Sequence, residues 1–599
     1  MAENPSTLAE SEARAAADDP GRAPTDDPGR APGDGPGRAP ADGEQRAARQ
    51  TPAGVPPVLD EAHIGDIRGA LGTIRMDDTA ARHDWRSRAM ALLAIMGPGL
   101  IVMVGDNDAG GVSTYAQAGQ NYGTTLLWTL ILLIPVLIVN QEMVIRLGAV
   151  TGVGHARLIN ERFGRFWGWF SVGDLFILNF LTIVTEFIGV SLALGYFGVS
   201  RYVAVPLAAA ALVGITSTGS FRSWERFMYV FVVANFLVIP LLFMVHPHFG
   251  TIAHDTVAPS IAGGASSTAV LLIIAIVGTT VAPWQLFFQQ SNIIDKRITP
   301  RWINYERTDT VIGAFVVVIG AGAVLSVAAF AFAGTPAAGH FTDAGGVAEA
   351  LRHYVSPVAG AFFAIVLLNA SMIGAASVTL ATSYAFGDVF GASHSLHRGV
   401  RDAKLFYATF TAMVAAAAGI VLIPGAPLGL ITTSVQALAG VLLPSATVFL
   451  LLLCNDREVL GPWVNAPWLN ALAAVIVGLL VELSLVLVAT TAFPQVDVTR
   501  LFLYLGVGLV VALVAIGVYV MRGRAPAAAL ARLAGGGGEA SRQAARESRE
   551  RRQSWTMPPL ALLERPVWSP GRRAAMLLMR GYLVVAVALL VVKTVQLGH

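Results

Sequence analysis

Of 599 residues, 54% are hydrophobic and 13% are charged, with 41 Lys and Arg against 39 Asp and Glu. A soluble domain carries about 25% charged residues, so this apolar mass exceeds what a core absorbs and points to lipid as the solvent. The near-neutral balance says nothing about nucleic acid, but no basic patch with interleaved aromatics appears and no nucleic-acid partner is expected; the single Cys454 excludes a disulfide framework and a cysteine-based metal site.

The chain opens on a segment rich in Pro, Gly, Ala, Asp and Arg, in which Pro-Gly-Arg-Ala-Pro recurs from Pro20, Pro28 and Pro36. Such a composition cannot bury enough apolar surface to offset its ordering entropy, so residues 1–85 are expected to form a disordered tail. From Ala89 the pattern changes. Apolar stretches follow at 89–118, 124–146, 167–193, 202–218, 226–246, 266–290, 309–334, 355–385, 403–423, 428–453, 466–493 and 500–521. A stretch of about 20 apolar residues is the length of a transmembrane helix. The expectation is an all-α integral membrane protein with a transporter core at 86–522. A basic linker at 523–573, carrying Arg542, Arg546, Arg549, Arg551 and Arg552, leads to a last hydrophobic helix at 574–599.

Basic residues set the orientation. The gaps after even-numbered stretches hold Arg157, Arg162 and Arg165, then Arg222, then Lys296, Arg297, Arg301 and Arg307, then Arg398, Arg401 and Lys404, then Arg457. The other gaps hold little beyond Arg201, Arg352 and Arg500. Even gaps and the N-terminus are therefore expected in the cytoplasm of a cell with this chain in its inner membrane.

Two stretches are interrupted in mid-span. The first contains Gly105-Asp106-Asn107-Asp108-Ala109-Gly110-Gly111 and the sixth contains Gly278-Thr279-Thr280-Val281-Ala282-Pro283. Glycine clusters and an internal proline break helical hydrogen bonding. At membrane depth, irregular backbone survives only inside protein or beside a water-filled cavity. The first and sixth positions correspond if ten helices form two inverted halves of five, and paired discontinuous helices point to a transporter's binding site.

Asp106 and Asp108 lie in the first break, where a carboxylate is costly and functional by default. Freed carbonyls beside them complete the oxygen ligand set of a hard divalent cation. The same acids also suit the cap of a half-helix N-terminus. Spaced two apart on extended backbone, they are expected to point to opposite sides. Gln436 in the tenth stretch offers an amide oxygen, or an interhelical hydrogen bond. Glu186 and Glu482 are candidate relays or structural partners, and His246, His248 and His254 are read as loop residues. No HExxH motif is present, which argues against a membrane-embedded metallohydrolase.

The chain resembles the NRAMP family of divalent-metal transporters between about Gly97 and Gly461. The resemblance rests on Gly97-Pro98-Gly99, Ala118-Gly119, Tyr122-Gly123, Leu126-Leu127-Trp128, Arg146-Leu147-Gly148-Ala149-Val150-Thr151-Gly152, Glu186-Phe187-Ile188-Gly189, Ser377 to Ala381, and Asp456-Arg457. It implies a LeuT-like fold of five plus five inverted helices with broken first and sixth members, here with extra C-terminal helices. It also implies no cofactor beyond the transported cation, and no enzymatic activity.

The departures from the family pattern sharpen the expectation. The family's first break reads Asp-Pro-Gly-Asn, which places its Asp on Asp108 and its Asn on Gly111. Asn107, Gln285 or water is then expected to supply the missing ligand. The Met-Pro-His of the sixth helix becomes Ala282-Pro283-Trp284, and a second histidine becomes Gln289. Thr279 falls where a backbone carbonyl ligates metal, and Gln436 matches a tenth-helix glutamine. Loss of the thioether removes the soft ligand that favours trace metals, and a wider all-oxygen pocket suits hydrated magnesium. Ile183, Trp284 and Gln289 stand where the family's proton route runs. The pattern is similar to NRAMP-related magnesium transporters and implies import of Mg2+ and/or Mn2+ without obligatory proton coupling. The alternatives are a proton-coupled Mn2+/Fe2+ importer and a sodium/amino-acid symporter of the same fold, although a carboxylate in the first break would repel a substrate carboxylate.

Overall fold

A computed structural model describes residues 61–533, apart from Thr79, Ala81, Ala426 and Pro494, together with scattered positions between 552 and 592. The expectations for residues 1–60, for most of the linker and for a helix after 574 lie outside the described residues.

In chain order the helices are α1 (Trp85–Ile95), α2 (Pro98–Gly105), α3 (Ala109–Tyr122), α4 (Leu127–Thr151), α5 (His155–Phe163), α6 (Arg165–Tyr196), α7 (Arg201–Thr216), α8 (Phe221–Asn235), α9 (Val238–Met244) and α10 (Phe249–Val257). The second half runs α11 (Ser267–Thr280), α12 (Pro283–Asp295), α13 (Ile303–Phe332), α14 (Ala344–Tyr354), α15 (Pro357–Phe390), α16 (Lys404–Val421), α17 (Leu428–Cys454), α18 (Arg457–Leu460), α19 (Pro467–Ala492) and α20 (Val498–Leu533). Their ends follow local chemistry. Ser266 and Ser356 accept the backbone N–H of Ala269 and Ala359 at helix starts. Pro98, Pro283, Pro357 and Pro467 open their helices, where no N–H is missed. Gly152 and Gly391 close α4 and α15 in the left-handed conformation.

Ten helical spans among the described residues are long and apolar enough to cross a membrane. The pair α2–α3 and the shorter α7 account for the other two stretches read from the sequence. The first span starts later than the 89–118 reading: α1 is a separate helix bent 54° from α2. The fifth span divides into α8 and α9, and four helices, α5, α10, α14 and the one-turn α18, occupy stretches read as gaps. The α11–α12 span is buried throughout its apolar window, against 6% for α20, so the sixth span lies at the centre and the twelfth at the periphery. Around it α6 packs along α15, α11 along α17, and α13 along α2 and α3. Cys454 is buried and free, as expected of a small apolar residue.

Residues 61–85 are not a tail. A 3-10 turn at Glu61–His63 leads into an antiparallel pair, β1 (Ile67–Arg68) and β2 (Thr73–Ile74), with Ile67 opposite Ile74. Ile67, Ala70 and Ile74 are buried. Two strands of two residues would not persist alone; side chains of the bundle hold this strap. Arg297 donates to the carbonyls of Ala62 (2.9 Å) and Asp66 (3.3 Å), Arg301 donates to those of Asp78 and Ala80, and Glu225 accepts the Ala70 N–H. The strap therefore lies across the arginine-rich end of α8, α12 and α13.

Candidate ion-binding site

Both breaks are present at the expected places. Between α2 and α3, Asp106 to Asp108 leave the helix; between α11 and α12, Val281 and Ala282 do so. The two gaps lie against each other. Asp108 takes both roles that its position allows. It is the N-cap of α3, its Oδ1 accepting the Gly111 N–H at 2.7 Å, and the same oxygen lies 3.5 Å from Thr279 Oγ1 across the gap. Glu186 of α6 lies within hydrogen-bonding reach of Asp108 and accepts the Ala109 N–H at 3.1 Å. It therefore joins α6 to the first break.

Asp106 does not turn away as an extended backbone would require. As the C-cap of α2 it keeps helical dihedrals (φ −75°, ψ −22°), and its Oδ1 accepts Gln285 Nε2 of α12. Gln285 is in turn fixed by Gln141 of α4, whose Nε2 donates to Gln285 Oε1 at 3.0 Å. Tyr115 and Thr280 share a hydrogen bond of 2.8 Å between α3 and α11. Thus Asp106, Asp108, Glu186, Thr279, Ala282, Gln285 and Gln436 are all buried, and all but Gln436 line the two breaks or the groups bonded to them. Gln436 reaches the same place from α17: a Cβ built on Gly110 would collide with its Nε2.

The unsatisfied atoms are informative. Asp106 Oδ2, Glu186 Oε1 and Gln436 Nε2 are buried without a hydrogen-bond partner, a costly condition unless a ligand meets them. A half-turn of the Gln436 amide exchanges its nitrogen for an oxygen at that point. No group of three or more His, Cys, Asp or Glu converges as a metal site among the described residues. An ion held here would depend on two carboxylates supplemented by amide, hydroxyl and carbonyl oxygens, which is a hard-cation set. Ala282, the N-cap of α12, adds no donor atom.

Other expectations fall elsewhere. Asn107 does not replace the missing ligand: its Nδ2 donates to Val317 O at 3.1 Å, and its side chain lines an apolar cavity of about 210 Å³ with Asn235, Phe236 and Ile319. Trp284 packs against Gly105, with its indole N–H unpaired. Gln289, one turn beyond Gln285, bonds to Thr310 of α13 at 2.9 Å. Glu482 faces Gly506 of the peripheral α20. His248 caps α10, a helix rather than a loop, and His254 pairs with Asp255 at 2.9 Å.

Sequence reasoning missed Gly374, Gln141 and the Tyr115–Thr280 pair. A Cβ on Gly374 would lie 2.5 Å from Glu186 Oε2 and 2.8 Å from Asp108 Cβ, so α15 must be bare where the two acids meet. The readable signal was Ser371, Gly374 and Ser377 at three-residue intervals, a small-residue face for close helix packing. On the far side of the cluster from the arginines, a cavity of about 260 Å³ opens among Gln117, Asn121, Thr268, Thr342 and Thr433. At its floor Thr433 donates to Gln117 at 2.9 Å.

The chain is similar to the divalent metal cation transporter MntH of Ralstonia nicotianae, 28% identical over 401 residues that cover 64% of this chain and 87% of that protein. It is similar also to the protein of that name from Bacillus subtilis, 26% identical over 418 residues covering 67% and 93% respectively. The crystal structure of the Eremococcus coleocola manganese transporter, in complex with an aromatic bis-isothiourea substituted compound, has the same fold: TM-score 0.53, 19% identity, covering 74% of this chain and 98% of that one. Residues 99–490, well over half of the chain, match the family described as natural resistance-associated macrophage protein-like, Nramp. The chain belongs to the Nramp family.

Proposed function

We propose that the chain transports divalent cations, importing Mg2+ and/or Mn2+ through the cluster between its two breaks, without obligatory proton coupling. The observation that carries this reading is the pair of unpaired, buried carboxylate oxygens, Asp106 Oδ2 and Glu186 Oε1, beside Asp108 in a site made of oxygens. The names of the similar proteins support a divalent cation, and the arginine-rich end supports an orientation with the strap in the cytoplasm. Ala282 supports magnesium: with no thioether, a soft metal gains nothing over a hard one, and an ion can keep part of its water. A second reading, proton-coupled uptake of manganese or iron, is favoured by Glu186 alone, a carboxylate next to the Asp108 ligand.

Uptake into proteoliposomes separates these readings. Magnesium and manganese should enter, cadmium should hold no special advantage, and an internal pH dye should stay flat while metal enters. Acidification that tracks metal uptake would establish the proton-coupled reading; failure to move any divalent ion would remove both.

A further inference from the structure

One buried carboxylate is only half engaged. Glu306 of α13 is fully buried, its Oε1 lies 3.5 Å from Gln289 Nε2, and its Oε2 has no partner. Its neighbour by one helical turn, Asp309, is well used on one side only. Asp309 Oδ2 accepts the backbone N–H groups of Gly97 (3.0 Å), Gly99 (2.8 Å) and Leu100 (3.2 Å), capping α2, while Oδ1 is unpaired. Gln289 contributes a third free acceptor, Oε1, since only its nitrogen is engaged. Residues three apart share a helix face, so the two acids of α13 face the same neighbours.

The charges there do not balance. The cation at this level, Lys296, is committed elsewhere: Nζ donates to Glu225 Oε1 at 2.5 Å and to Met96 O at 2.7 Å. Arg307, next in sequence to Glu306, points the other way, to Glu142 of α4. Two carboxylates and an amide oxygen thus stand enclosed around one ammonium that bonds to none of them, and burial leaves the acids to take up either a proton or a cation. Their place is also significant. Gln285, Gln289, Asn292 and Lys296 recur at spacings of four, three and four along α12 and are all buried, so they form one polar stripe. The stripe begins at Asp106, which Gln285 holds, and ends at the strap.

We propose that Glu306, with the free oxygens of Gln289 and Asp309, is a second divalent-cation stop between the central site and the cytoplasm. This rests on the transport reading above. The central cluster gives up its ion along the α12 stripe; Glu306 receives it when α2 shifts from its cap on Asp309, and the Lys296–Glu225 pair then controls release. A carboxylate at this point keeps the ion from facing a dry passage of amides alone.

Equilibrium dialysis of the purified full chain against radioactive manganese tests the stop directly, with Glu306→Gln and Asp108→Asn beside the wild type. The wild type should bind a second equivalent; Glu306→Gln should lose one and keep the other at unchanged affinity, and Asp108→Asn should lose the other. In proteoliposomes Glu306→Gln should lower the maximal uptake rate about tenfold with KM for external manganese unchanged, and Glu306→Asp should restore part of it. Equal stoichiometry and equal maximal rate in wild type and Glu306→Gln would overturn the proposal while leaving the central site standing. Full binding and uptake in Asp108→Asn would instead overturn the central site. Should Glu306→Gln fail to fold, Gln289→Leu leaves the acid in place, and an undiminished second equivalent in that variant counts against the stop.

Discussion

Asp108 caps α3 through the Gly111 N–H and also presents its carboxylate to the opposite break. Removing it should therefore cost both transport and stability. Asp108→Ala is expected to abolish uptake and to lower stability by about 1 kcal/mol through the lost cap, read as a fall in melting temperature of protein that still inserts. Asp106→Ala should remove an unpaired oxygen without uncapping a helix, so uptake should fall with a smaller thermal shift. Gly110→Ala is a more selective probe. Its methyl group would displace Gln436, whose end is flexible, rather than backbone, so the protein should fold while metal affinity drops. At this scale the acids were legible because a carboxylate inside a glycine-rich mid-span break is too costly to persist there without a use. Gly374 and Gln141 were not, because their effect comes from α15 and α4 meeting α6 and α12, and no spacing along one helix contains that information. Asn107 misled for the same reason: its sequence neighbours are ligand-like, but its contacts belong to α13.

At the scale of elements, the inner half of the first span depends on another helix for its N-terminus. Four N–H groups at a helix start need partners, and Asp309 of α13 supplies one oxygen to three of them. Asp309→Asn should keep a weaker cap, whereas Asp309→Ala should leave buried amides unpaired at a cost of about 2 kcal/mol or more. Melting temperatures of the two variants against wild type check this, and equal values would show that α2 is held by packing alone. The twelve spans were readable because each carries its own apolar length. The helices α5, α10 and α14 were not, being too short and polar for that signal. The bend before α2 lies inside an unbroken apolar run; Gly97-Pro98 marked a helix start there, but the length of the run obscured it.

For the whole molecule, the fold class followed from composition and from two breaks in register, while the strap did not, because its strands are held by side chains some two hundred residues away. Two histidines outside the spans give the assembly a pH profile. Burial pushes His155 down from 6.5 to about 4, against the bond from its ring to Gln290. A base depressed in the folded state stabilises above 6.5, and that contribution is lost as pH falls from 6.5 towards 4. His394 runs the other way. Burial disfavours its charge, but Asp388 at 3.2 Å outweighs burial and raises its pKa; its contribution is full below 6.5 and is lost as pH climbs through the raised value. His155→Gln should therefore flatten the acid limb of a melting-temperature profile and leave the alkaline limb alone.

The strap has one more consequence. The Ala70 N–H rests on Glu225, Glu225 is held by Lys296, and Lys296 also grips Met96 O at the foot of α2. That backbone hydrogen can trade with solvent only while the foot of α2 is loose. The rate at which deuterium enters at Ala70 then works as a turnstile reading of how often the carrier's inner door swings. Metal with an inward gradient should quicken the count over the idle protein, and Glu225→Gln should let it run fast in both. An identical count in idle and working carriers would mean that the strap rides along through the cycle without letting go.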